Sequence, residues 1–196
     1  MVDHLLDAAV EQFVLTGIRR TSADDIARRA GVNRATLYRR LGTMEQIVAA
    51  AVLRETGKSL ERIEAAIGPV PTPGTPGFNP VAYVATMFSI TLDEVRGNAL
   101  LEQLMVKDRD ETLLGLTAGA GDVLVLASGL VVDRILELRR HVGNDRTDDV
   151  HAIAVTLSRL TQSLLLTPAG PPDLGDPRDR ATFVEAVVVP LVLGPR

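Results

Sequence analysis

Residues 22–42 read SADDIARRAGVNRATLYRRLG. Ser22 with Asp25 three positions on has the form of a capping box, and Asp24 and Asp25 favour the positive end of a helix. The helix so begun runs to Ala30 and stops at Gly31, the residue type that a left-handed cap prefers. Asn33 then caps a second short helix, with Arg34, Ala35 and Thr36 in its first turn, and Gly42 ends it. Two short helices joined by Gly31-Val32-Asn33 make a helix-turn-helix arrangement. In that motif the second helix lies in the major groove of DNA with its N-terminal residues at the base edges.

The residue types suit the task. Arg34 is long enough for a bidentate contact to guanine O6 and N7, and Ala35 is small enough to meet a thymine methyl. Thr36 can donate to a base or a phosphate. Tyr38 places a hydroxyl at phosphate height on an anchored ring, and Arg39 and Arg40 add phosphate-binding charge. Backbone N–H groups at the helix starts marked by Ser22, Asn33 and Thr43 can also hold phosphates. Phe13, Ile26, Val32 and Leu37 read as core, and Arg28 and Arg29 as a solvated helix face.

Charge is distributed to match. The whole chain has a formal net charge of -4, but residues 1–46 hold seven basic and six acidic side chains. The N-terminal quarter is therefore near +1 and the remainder near -5, a slight bias toward nucleic acid in one segment.

Outward from the motif, helical spacing predicts helices over 3–16, 43–67, 80–96, 98–107, 118–141, 147–166 and 178–193, with a short candidate at 109–115. Residues 68–80, GPVPTPGTPGFNP, hold five prolines and three glycines and read as a loop. VLVLASGLVV, residues 123–132, could be a strand, but the DRILELRRH that follows keeps helical spacing. Pro190 is expected to kink or end the last helix. The expectation is an all-α chain of about nine helices. It comprises a helix-turn-helix domain at 1–46 and a helical domain at 47–196, with 43–67 as the connecting helix and 68–79 as a loop.

Composition excludes several alternatives. The chain has 196 residues, 46% hydrophobic and 23% charged, as expected of a globular protein. Without cysteine there is no disulfide or thiolate chemistry, which fits a reducing compartment. The N-terminus is acidic where a signal peptide is basic, and the ten-residue apolar run is half the length of a membrane span. A cytoplasmic protein with no membrane partner is expected. His4, His141 and His151 lack metal-ligand spacing, and neither a GxSxG elbow nor a phosphate-cradling glycine loop is present. No enzyme activity, metal or cofactor is expected.

Residues 5–47, LLDAAVEQFVLTGIRRTSADDIARRAGVNRATLYRRLGTMEQI, resemble the DNA-binding domain of TetR-family transcriptional regulators. The matching features are Leu5 to Ala9, Phe13, Gly17, Thr21, Ile26-Ala27, Ala30 to Val32 and Thr36 to Tyr38. The resemblance implies a homodimeric repressor of double-stranded operator DNA whose C-terminal domain binds a small molecule. Thr21 then joins Ser22, Asn33, Arg34, Ala35, Thr36, Tyr38, Arg39 and Arg40 as a DNA-binding position. Ligand binding would alter the spacing of two recognition helices that must match half-sites about 34–36 Å apart. Family members pair through helices at their C-terminal end, here 147–166 and 178–193, each apolar enough to pack on a partner. Two departures stand out. Leu41 occupies a position usually held by phenylalanine, and Met44 one commonly held by a phosphate-binding lysine, whose load Arg40 is expected to take.

For the effector, Val81, Val84, Phe88, Leu92 and Val95 make one stripe on helix 80–96, and Tyr83, Met87 and Ile90 a second. A helix apolar on two faces is buried on both or lines a cavity. Tyr83, Met87, Phe88 and Met105 are candidate lining residues, with Gln103, Ser128 and Arg134 as polar anchors. Aromatic content of 3% points to an aliphatic rather than a flat ligand. The main alternative is a DNA-bound interaction scaffold with a solid core and no effector, and a remote one is a small helical enzyme.

Overall fold

Short-range rules of capping set most of the helix boundaries. The computed structural model describes residues 1–194, which form helices and loops with no strand. The helices are α1 (Val2–Thr16), α2 (Ala23–Arg29), α3 (Arg34–Leu41), α4 (Met44–Ile67), α5 (Pro80–Arg96) and α6 (Ala99–Lys107). They are followed by α7 (Arg109–Leu116), α8 (Gly121–His141), α9 (Val150–Leu166), α10 (Pro177–Phe183) and α11 (Val189–Leu193). A π-helical segment, Val184–Val188, joins α10 to α11, so Pro177–Leu193 is one continuous helical run. The short candidate at 109–115 forms as α7, and the 123–132 stretch is helical, inside α8.

Caps explain the starts. Asn79 accepts from the amides of Val81 and Ala82 ahead of α5, Asn98 from that of Leu101 in α6, and Asp176 from those of Arg178 and Asp179 in α10. At the other end of α1, Gly17 takes φ 84° while its amide bonds the Phe13 carbonyl, and a Cβ there would strike the Asp108 carboxylate.

Of the two outcomes expected at Pro190, ending the helix does not occur, since α11 continues to Leu193. A proline cannot donate to the carbonyl four residues back and its ring crowds that group. The preceding turn widens to π geometry, in which the Val189 amide reaches Val184 O, and the helix then resumes.

Two compact units result. The first comprises Met1–Ser59 with Gly97–Asp122, and the second comprises Leu60–Arg96 with the chain from Val123 onward. This grouping departs from the 46/47 boundary expected from the sequence, because α6 completes the N-terminal core. Leu100 and Leu104 are buried beside Leu5, Phe13, Ile26, Leu37 and Ile47. The buried Asp108 carboxylate accepts from the amides of Ile18 and Arg19, and Lys107 Nζ donates to the carbonyls of Val14 and Leu15 at 2.6 and 2.9 Å. Together they bind the turn between α1 and α2.

The second unit packs Val84, Leu92, Ile135, Leu138, Ala154, Leu157, Val184, Val188 and Val192 into one core. Arg139 is buried with them at 2% exposure. It donates to the carbonyls of Arg146, Leu191 and Val192 and to both carboxylate oxygens of Asp149. With its carboxylate so engaged, Asp149 makes no side-chain cap at the start of α9. Among the described residues no single helix is long and apolar enough to cross a membrane. No cluster of three or more His, Asp and Glu is arranged to hold a metal there either.

Candidate nucleic-acid interface

α3 is fastened by one side and open on the other. Leu37 is fully buried, and Tyr38, Leu41 and Met44 pack half-buried against the same core. Arg34, Ala35, Arg39 and Arg40 are exposed and Thr36 is half-exposed. Asn33 Oδ1 accepts from the Thr36 amide at 2.7 Å, so the cap occupies the third amide and leaves those of Arg34 and Ala35 free at the helix start. Gly31, at φ 67°, turns the chain between α2 and α3 with open space around it. It is this reversal that exposes α3 beyond α2.

The electrostatics of the unit single out α3. Elsewhere several basic side chains are paired with carboxylates. Arg19 pairs with Glu111, Arg28 with Asp25 and Arg29 with Glu11 and Gln12. Arg54 grips Asp3 and Asp7, and Lys58 also reaches Asp7. On α3, Arg39 touches only the Thr36 hydroxyl, at 3.4 Å, and Arg40 has no hydrogen-bond or ionic partner among the described residues. Arg34 pairs with Asp24 at 3.3 Å and lies over the Tyr38 ring at 5.3 Å. α3 carries no acidic residue, so Arg39 and Arg40 leave net positive charge on its exposed face.

Of the predicted positions, Asn33, Arg34, Ala35, Thr36, Tyr38, Arg39 and Arg40 come together on α3. Ser22 is exposed but committed to the cap of α2. Its hydroxyl and amide meet the Asp25 carboxylate, which they hold below its ordinary pKa, the hydroxyl foremost. Thr21 does not reach the outer face. It is buried, with its hydroxyl donating to Gly17 O at 2.6 Å and touching Thr16, so it shapes the turn instead. Thr43 and Gln46 cap α4 reciprocally, and the Thr43 hydroxyl keeps Glu45 ionised to lower pH than usual. Met44 packs against the core and lines an open depression of about 630 Å³ with Tyr38, Gly42, Thr43 and Glu45.

Comparison with known proteins agrees with this geometry. Residues 5–51 match the model of the family described as bacterial regulatory proteins, tetR family. An uncharacterised HTH-type transcriptional regulator of Mycobacterium tuberculosis is 27% identical over 190 residues, covering 97% of this chain and 84% of its own length. Residues 5–51 carry the DNA-binding signature of the TetR family. The TetR-family repressor AlkX from Dietzia sp. superposes with a TM-score of 0.69 at 19% identity, covering 96% of this chain and 93% of that one. QsdR of R. erythropolis superposes at 0.65, also 19% identical, covering 100% and 95%. These two structures share the fold. These relatives are described as transcriptional regulators or repressors.

The residues expected to form an effector pocket fall in both units. Gln103 and Met105 belong to α6, in the first unit. In the second unit, Tyr83 donates to Gly68 O at 2.8 Å, and burial pushes its pKa up. Met87 and Phe88 are buried, Phe88 within the core cluster, and Ser128 donates to Val125 O inside α8. Arg134 pairs with Glu137 and Glu64. A separate depression of about 270 Å³ is lined by Ala85, Ser89, Pro177, Arg180, Ala181 and Val184, none of them predicted. Helical periodicity alone could not distinguish lining residues from core, because both are apolar.

Proposed function

We propose that the chain is an operator-binding repressor that acts in the cytoplasm as a homodimer and leaves DNA when a small apolar molecule binds. The observation that carries the DNA half is α3, with its core side locked by Leu37 and its open side bearing Arg34, Ala35, Arg39 and Arg40. Arg34, Ala35 and Thr36 read bases, and Tyr38, Arg39 and Arg40 grip phosphates. Repression is inferred from AlkX and QsdR, both described as repressors. Pairing through α9 and the run Pro177–Leu193 is supported by small exposed side chains there. Ala152, Thr156 and Ser163 on α9, with Ala181, Thr182 and Ala186 on the last run, permit close approach of a second copy. Selection of bound duplexes from a random pool tests the reading. A single preferred sequence, lost in Arg34→Ala, is expected, and enrichment of none would remove it.

One observation favours the scaffold reading without an effector. Tyr83, Phe88, Ser128 and Arg134 are committed to internal contacts, and the 270 Å³ depression on α5 is below the roughly 300 Å³ at which ligand sites begin. Screening aliphatic compounds for release of the operator decides between the two.

A further inference from the structure

Arg34, the first residue of α3, is held from two sides. Its Nη1 lies 3.3 Å from Oδ2 of Asp24, in the first turn of α2, and its guanidinium carbon stands 5.3 Å from the centre of the Tyr38 ring, one turn along α3. A carboxylate at the edge of a surface that meets a polyanion works against binding, because like charges repel. Capping does not require it, since Asp25 alone completes the capping box of α2. Among the described residues, the Asp24 side chain makes its only hydrogen bond and ion pair with Arg34.

That contact leaves a particular edge of the arginine available. With Nη1 turned to Asp24, the Nε and Nη2 donors remain unbonded. They form a two-pronged fork of the kind that fits O6 and N7 of guanine. An arginine without such a tether can swing to the nearest phosphate, a contact that carries no sequence information.

We propose that Asp24 is a specificity-determining positioning residue, fixing Arg34 through Nη1 so that its free edge meets a guanine instead of the DNA backbone. The proposal rests on the reading of α3 as the base-reading helix. It also gives a reason for an acidic side chain beside a basic surface, since sequence discrimination is gained at the expense of raw affinity.

The test uses the full-length protein and its selected operator, with duplexes changed one base pair at a time. Arg34→Ala identifies the pair that Arg34 reads. Asp24→Asn is expected to lose about tenfold in discrimination at that same pair, the size of one weakened bidentate contact. Its affinity for unrelated duplex should hold or rise. Asp24→Glu, which keeps the charge, should recover part of the discrimination, and the double variant should discriminate no worse than Arg34→Ala alone. Wild-type discrimination at that pair in Asp24→Asn, while Arg34→Ala loses it, overturns the proposal and leaves α3 as reader. A loss spread evenly over all base pairs also overturns it, because that marks a structural role in α2. If the wild-type protein prefers no sequence, the reading of α3 fails and the proposal falls with it.

Discussion

Arg40 sits on the exposed side of α3 without a partner of its own among the described residues, while Met44 at the start of α4 is packed against the core. A cation free of internal partners can offer its full charge to a phosphate, and a thioether cannot. Arg40→Ala is therefore expected to weaken binding to every duplex alike. It should lower the slope of log affinity against log salt by about 0.9 per protomer, as read by fluorescence anisotropy over a salt series. An unchanged slope would assign the phosphate contact elsewhere. Met44→Lys should move the slope the other way. The caps of α2 and α3 were readable from sequence because Ser22 with Asp25, and Asn33 with Thr36, act within one helical turn. Thr21 was not, because its hydroxyl turns inward to Gly17 and Thr16, a choice made by the packing of the turn.

Between elements, the decisive contacts join residues far apart in sequence, which is why local periodicity did not reveal them. Asp108 reaches Ile18 across 90 positions, and Arg139 reaches Val192 across 53. Such pairs form only once the helices have packed. Arg139→Met should destabilise the second unit by about 1–3 kcal/mol in chemical denaturation, because it leaves three carbonyls without this donor and Asp149 with Arg146 as its remaining cation. Arg139→Lys should not rescue it, since an ammonium cannot span those acceptors at once. In the first unit, Arg54 and then Lys58 hold the Asp7 carboxylate far below its ordinary pKa of 3.8, tying α1 to α4. A carboxylate with a depressed folded pKa stabilises in full above its unfolded pKa and loses that contribution as pH falls toward the folded one. Thermal midpoints should therefore drop as pH is lowered through about 4, and Asp7→Asn should flatten that drop while lowering the midpoint at neutral pH. A variant with the wild-type pH profile would show that the tie contributes nothing.

For the molecule as a whole, a single α3 reads too few base pairs to specify one site in a genome. Specificity on that scale requires two copies of the helix held at a fixed separation. If pairing runs through α9 and Pro177–Leu193, the operator is an inverted repeat, and its half-sites must lie on one side of the duplex. The protein should then be a dimer at micromolar concentration by light scattering, and a charge placed in the contact, as in Ala186→Glu, should shift it toward monomer. The operator can be tested without touching the protein. Inserting about half a helical turn, ~5 bp, between the half-sites rotates one of them to the opposite face of the DNA. Affinity is expected to fall close to that for a single half-site, because one protomer then meets only phosphate or nothing. An insertion of one full turn restores the face but lengthens the span by ~34 Å, so a dimer of fixed spacing should not recover its affinity. Full recovery at one turn would mean that the two reading heads are independently tethered, and retention of affinity at half a turn would mean that a single copy suffices.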